Sequence, residues 1–136
     1  MIAVDTNIII RFLTRDDPKQ FGAVLQLFRK NEIWISHTVL LETAGVLQGI
    51  FDLSRDDLHA LLCDLIDLEN VEMENYENAA SALAAYSDGM DLADALHLTT
   101  ANSCDLPFYT FDKALVKHAK QQQANAQLLK GLARAK

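Results

Sequence analysis

Glycine and proline are scarce in this chain, at five and two of 136 residues, and with half the residues hydrophobic this predicts a compact, mostly helical, soluble globule. Cysteine is limited to Cys63 and Cys104, which stand singly in helical patterns. That spacing offers neither a disulfide framework nor a zinc cluster, and free thiols suit a reducing cytoplasm, where the chain is expected to reside. No apolar run reaches the roughly 18 residues that a membrane span needs. The opening MIAVDTNIII has no basic n-region and meets Asp5 at once, unlike a signal peptide. GxGxxG and GxxxxGK[ST] are both missing, which removes the common nucleotide-binding readings. HExxH and GxSxG are also missing, which disfavours zinc and covalent catalysis. His37, His59, His97 and His118 read as ordinary core or surface histidines.

Basic residues are missing from the middle. Residues 37–112 hold Arg55 alone against fifteen acids, whereas residues 1–36 hold five Lys/Arg and four Asp/Glu. Residues 113–136 hold six basic residues and no acid. The net charge of -7 argues on its face against a nucleic-acid partner. The distribution allows a second reading: a cation site flanked by basic arms that hold a polyanion. An acidic middle that is only a solvated surface fits the same counts.

What is present is half hydrophobic, enough for one domain over residues 1–136 with a real core. Short apolar runs at 2–5, 32–36, 70–74, 107–110 and 125–129 read as strands. Between them lie helical patterns. Asp17-Pro18 supplies a cap and a first-turn proline, and Phe21, Val24, Leu25 and Phe28 follow at helical spacing. Further helices are expected at 6–16, 37–51, 54–66, 77–87, 91–103 and 113–123. Strands alternating with helices predict an α/β fold with a parallel or mostly parallel sheet covered on both faces.

Four acids stand out against this frame. Asp5 closes the first strand and Asp112 follows the fourth, so both belong at the carboxyl rim where α/β sheets bind ligands. Glu42 has Val39 and Val46 as helical neighbours, beside an apolar stripe. A stripe-edge glutamate that reaches solvent is its ordinary alternative. Asp94 lies in GMDLADALHLTTA, a helix apolar nearly all round, and a buried charge there needs a partner or a metal. Carboxylates converging without basic partners repel, and a divalent cation resolves the repulsion. Mg²⁺ and Mn²⁺ prefer such hard oxygen ligands and suit phosphoryl chemistry.

These residues resemble the PIN-domain family over almost the whole chain, and within it the VapC-type toxins of type II toxin–antitoxin pairs. AVDTNIII resembles the family's opening strand, whose acid falls on Asp5; LLETAGVL places the second on Glu42. DLADALHLTTA and YTFDKAL place the third and fourth on Asp94 and Asp112. The resemblance implies a three-layer α/β/α sandwich with a mostly parallel sheet of four to five strands. It implies a Mg²⁺- or Mn²⁺-dependent ribonuclease, a toxin held inactive by a cognate antitoxin and assembled as a homodimer. Thr6, Asn7 and Thr110 would support the acids. Asp91 has two readings, a further metal or water contact or simply the cap of its helix.

Arg11 and Arg15, and again Lys113 and Lys117, are four apart on helices that follow candidate acids. They are expected to hold RNA phosphates, or else to complement acids or an antitoxin. Other readings of the acids are a DNA nuclease, a metal-dependent phosphatase, or a binding module that has lost catalysis.

Overall fold

In the computed structural model, which describes residues 1–131, a strand followed by two helices occurs three times. β1 (Ile2–Ala3) leads to α1 (Thr6–Thr14) and α2 (Pro18–Lys30); β2 (Ile33–Ile35) leads to α3 (His37–Gly49) and α4 (Arg55–Ile66). β3 (Val71–Met73) leads to α5 (Tyr76–Ser87) and α6 (Leu92–Ser103). β4 (Phe108–Thr110), α7 (Lys113–Gln121) and β5 (Ala126–Leu128) complete the described chain. Arg134 and Lys136 of the basic C-terminal segment, and the last five residues of the expected domain, lie outside the described residues.

The strand-to-helix corners share one device. Asp5, Ser36, Asn75 and Asp112 each follow a strand, and each turns its side-chain oxygen onto the first-turn N–H groups of the next helix. Those N–H groups have no partner within the helix, so a short polar side chain at this place starts it. Ser54 and Asp17 cap α4 and α2 in the same way, and Pro18 follows in the first turn of α2.

Both hydrogen-bonded ladders are parallel. β1, β2 and β3 run in that order, with Ile2 opposite Ile33 and Ile35 opposite Met73. β4 pairs with β5, with Thr110 opposite Leu128. The expected continuous sheet of four to five strands is therefore divided. β1 is only two residues long, and its ladder is made with β2. Parallel pairing puts the carboxyl ends of β1, β2 and β3 on one rim, where Asp5 sits. The core is built by Ile9, Ile10, Ile33, Ile35, Leu40, Leu47, Leu62 and Leu83, all essentially inaccessible to solvent. α5 and α6 pack extensively against each other, which seats the helix that carries Asp94.

The turn between them is held from two sides. The Arg55 Nη1 group donates to the carbonyls of Tyr86 at 2.7 Å and Met90 at 3.2 Å, and its guanidinium lies 4.2 Å from the Tyr86 ring centroid. From the C-cap of α7, the Gln122 side chain donates to Asp88 at 3.3 Å. Gly89 takes a φ of +108°, which only glycine adopts easily. So the lone basic residue of the acidic middle pairs with no carboxylate among the described residues; it satisfies carbonyls in the last turn of α5 and in the turn after it. Gly89→Ala should cost about 1–3 kcal/mol of stability through backbone strain. Arg55→Met should cost about 1.5 kcal/mol, the low end for charged hydrogen bonds, since its residue is exposed. Urea unfolding measures both, and wild-type midpoints would contradict this account of the turn.

Candidate active site

Two acidic groups form around the rim. The first is built where α1 packs on α3. Asp5 is the N-cap of α1 and accepts the Ile8 N–H at 3.3 Å. Thr6 begins the helix, and its hydroxyl donates to Glu42 Oε1 at 3.0 Å. Asp5, Thr6, Asn7, Glu42 and Val46 line an open hollow of about 320 Å³. Glu42 and Asp5 are exposed, so the apolar neighbours of Glu42 do not bury its carboxylate.

The second group is Asp91, Asp94 and Asp112. Asp91 caps α6, accepting the Asp94 N–H at 3.2 Å. Asp112 caps α7, where its Oδ1 accepts from the Ala114 and Leu115 N–H groups at 2.9 and 3.1 Å. Thr110 accepts the Asp112 N–H through its hydroxyl at 3.0 Å, which fixes the turn after β4. Asp94 is half-buried. Burial pushes its carboxyl above the ordinary value, and the charges of Asp91 and Asp112 push it further; His97 opposes them. The structure thus assigns Asp91 its capping role and also places its charge against Asp94.

α3 and α6 lie side by side across a mostly apolar groove of about 460 Å³, whose lining includes Leu41, Leu96, His97, Thr100 and Phe108. That packing sets the helix of Glu42 beside the helix of Asp94. The donors fit a hard divalent cation in kind: all are carboxylates, and none is engaged by a Lys or Arg among the described residues. Asp5, Asp91 and Asp112 each use one oxygen for capping and leave the other free of protein hydrogen bonds among the described residues. In number they are not gathered. No three His, Cys, Asp or Glu side chains of the described residues stand close enough together to hold one ion.

The basic residues divide as well. Arg11 donates to Gln20 at 2.7 Å and to Asp16 at 3.2 and 3.3 Å. Six residues beyond Asp5, it lies roughly 9 Å further along the helix axis. Arg15 is not on the helix at all: α1 ends at Thr14, and Arg15 takes a left-handed φ of 55° with its guanidinium 5.0 Å from the Phe21 ring. The expected one-face arginine pair is therefore not formed. The acids at 16 and 17, with Phe21 beyond them, were the sequence signal for it. Lys113 and Lys117 do share α7 beside Asp112, are exposed, and make no ion pair among the described residues.

Parallel strands whose ends and following helices carry carboxylates define an α/β domain with an acidic rim. The PIN domain family model matches residues 2–121, and the chain belongs to that family. Its architecture is consistent with the PIN-like α/β/α sandwich. Members of the family are typically metal-dependent nucleases. No curated protein matches the chain significantly. No helix of the described residues is long and apolar enough to cross a membrane.

The raised carboxyl of Asp94 has a consequence for stability. Its folded form holds a proton more tightly than the unfolded chain, so its contribution worsens as pH rises from the ordinary value of 3.8 through the raised one. Asp94→Asn should therefore raise the melting temperature at neutral pH in chelator, with the gain fading in acid. Thermal melts at several pH values test this; an equal or lower melting temperature at neutral pH would contradict it.

Proposed function

We propose that this chain is an endoribonuclease that hydrolyses RNA phosphodiesters with Mg²⁺ or Mn²⁺, and that it is the toxin of a toxin–antitoxin pair. The observation that carries the chemistry is a set of rim carboxylates that no Lys or Arg engages among the described residues, with Asp94 half-buried and its carboxyl raised first by burial and then by Asp91 and Asp112. A half-buried carboxylate faced by two others, with only His97 opposing, is a position that a bound cation stabilises. Asp5, Glu42, Asp94 and Asp112 would hold that ion, with Asp91 close by. When bound, a divalent cation supplies charge neutralisation at phosphate and a water of lowered pKa.

The chain's own groups prepare the site. Thr6 fixes the Glu42 carboxylate by its hydrogen bond. Thr110 fixes the turn that presents Asp112. Asn7 borders the same hollow and offers an amide to orient water or phosphate. Lys113 and Lys117 supply positive charge for the flanking phosphates, while Arg11 is engaged with Asp16. The partner antitoxin and the homodimer belong to the same reading. The apolar groove between α3 and α6 supports it as a surface for either one.

Incubation of Asp94→Asn and Glu42→Gln with RNA and Mg²⁺ or Mn²⁺ tests the site. Each should cleave about 10²-fold more slowly or worse, the scale of losing charge stabilisation at a reacting centre. Wild-type rates would refute the assignment. A panel of RNA, DNA and small phosphate esters separates the ribonuclease from a DNA nuclease or phosphatase, and no cleavage of any would favour a binding module. Replacing Lys113 and Lys117 by Gln should flatten the salt dependence of RNA binding by roughly 0.7 per charge on a log–log slope; an unchanged slope would remove them from the RNA path.

A further inference from the structure

Along α4 runs a donor set of a different kind from the rim acids. His59 and Cys63 are four residues apart, and the helix turns that spacing into a contact: the Cys63 Sγ lies 3.5 Å from the His59 Nε2. Cys63 is a free thiol packed against the core, and both residues are half-buried, so solvent still reaches them. One turn further, Asp67 is the C-cap of α4 and accepts the Tyr76 hydroxyl through Oδ1. Asp64 follows Cys63 directly and is exposed. Neither Asp64 nor Asp67 pairs with a Lys or Arg among the described residues.

A thiolate and an imidazole are softer donors than carboxylates, and they select zinc-like ions over Mg²⁺. Bonds of about 2.0 Å to nitrogen and 2.3 Å to sulfur, at a tetrahedral angle, place two donor atoms roughly 3.5 Å apart. The pair on α4 already has that separation. The thiol alone is a poor nucleophile: burial first, then the charges of Asp67 and Asp64, push its pKa above the ordinary value. Those same charges attract a cation. Among the described residues no three His, Cys, Asp or Glu side chains gather around one point, so an ion held here keeps water at its other positions.

We infer that His59 and Cys63 form an open, two-ligand site for a zinc-like divalent cation, bound by the imidazole Nε2 and the thiolate Sγ, with water completing the tetrahedron. On binding, the S–H bond breaks, a sulfur–metal bond forms and one proton passes to solvent. The ion ties adjacent turns of α4 together and stabilises the folded chain, because the unfolded chain does not hold the two donors side by side. It is distinct from the ion of the proposed nuclease site, and nothing in this pair depends on the ribonuclease reading.

The test uses the full chain, reduced and stripped of metal by chelator, with Co²⁺ as the spectroscopic stand-in for Zn²⁺. Co²⁺ should develop a thiolate-to-metal charge-transfer band that is lost on adding Zn²⁺ and persists in excess Mg²⁺. Cys63→Ser should abolish the band. His59→Gln should weaken the binding that the band reports by roughly 10-fold or more, since even the loss of a partner behind a ligand acts on that scale. Cys104→Ser removes the other thiol and should leave the band intact, as should Asp94→Asn at the rim. Zn²⁺ should also raise the melting temperature of the wild type more than that of Cys63→Ser. The wild-type band and the His59→Gln titration read the site even where Cys63→Ser does not fold. A wild type without the band overturns the inference. So does a band that survives Cys63→Ser, that His59→Gln leaves at full affinity, or that disappears with Cys104→Ser or Asp94→Asn.

Discussion

A carboxylate at the start of a helix is the constraint on which this molecule turns. Three of its site acids, Asp5, Asp91 and Asp112, are N-caps, and Asp94 lies in the first turn of α6. The unpaired N–H groups and the positive end of the helix dipole stabilise negative charge there. The acids are therefore positioned by the backbone itself. Asp5 and Asp112 follow strands as well as starting helices, so fold and candidate site share residues. Glu42 is the exception: it lies within α3, away from a helix start, and is held by the Thr6 hydroxyl instead.

Much of this was legible in the sequence because the signals were local. Asp17-Pro18, Ser54 and Asp91 announce helix starts by residue type alone, and each is a cap in the structure. The apolar runs at 32–36 and 70–74 became β2 and β3 because Ile33, Ile35 and Met73 are buried. The four candidate acids could be placed on rim or helix from the same pattern. Their convergence was not legible, since it depends on how α3 sits against α6 and how far β1 extends. In the structure they stand as two groups, and that gathering is left to the bound cation in the proposed function.

What the sequence obscured was long-range or terminal. Arg15 carries the right spacing from Arg11, yet the helix ends at Thr14 and turns it away. Arg55 lies some thirty residues or more from Tyr86 and Met90, and nothing local marks it as the clasp of their turn. In each case the missing information was which surface faces which, and composition does not carry it.

The central claim is that the Asp5–Glu42 group and the Asp91–Asp94–Asp112 group serve one ion. The most direct measurement is calorimetric titration of Mn²⁺ into the wild type, Glu42→Gln, Asp94→Asn and the double variant. The account predicts that either single substitution removes most of the affinity and that the double variant loses little more, since both touch the same ion. Losses that simply add, or single variants that bind Mn²⁺ as the wild type does, would contradict it.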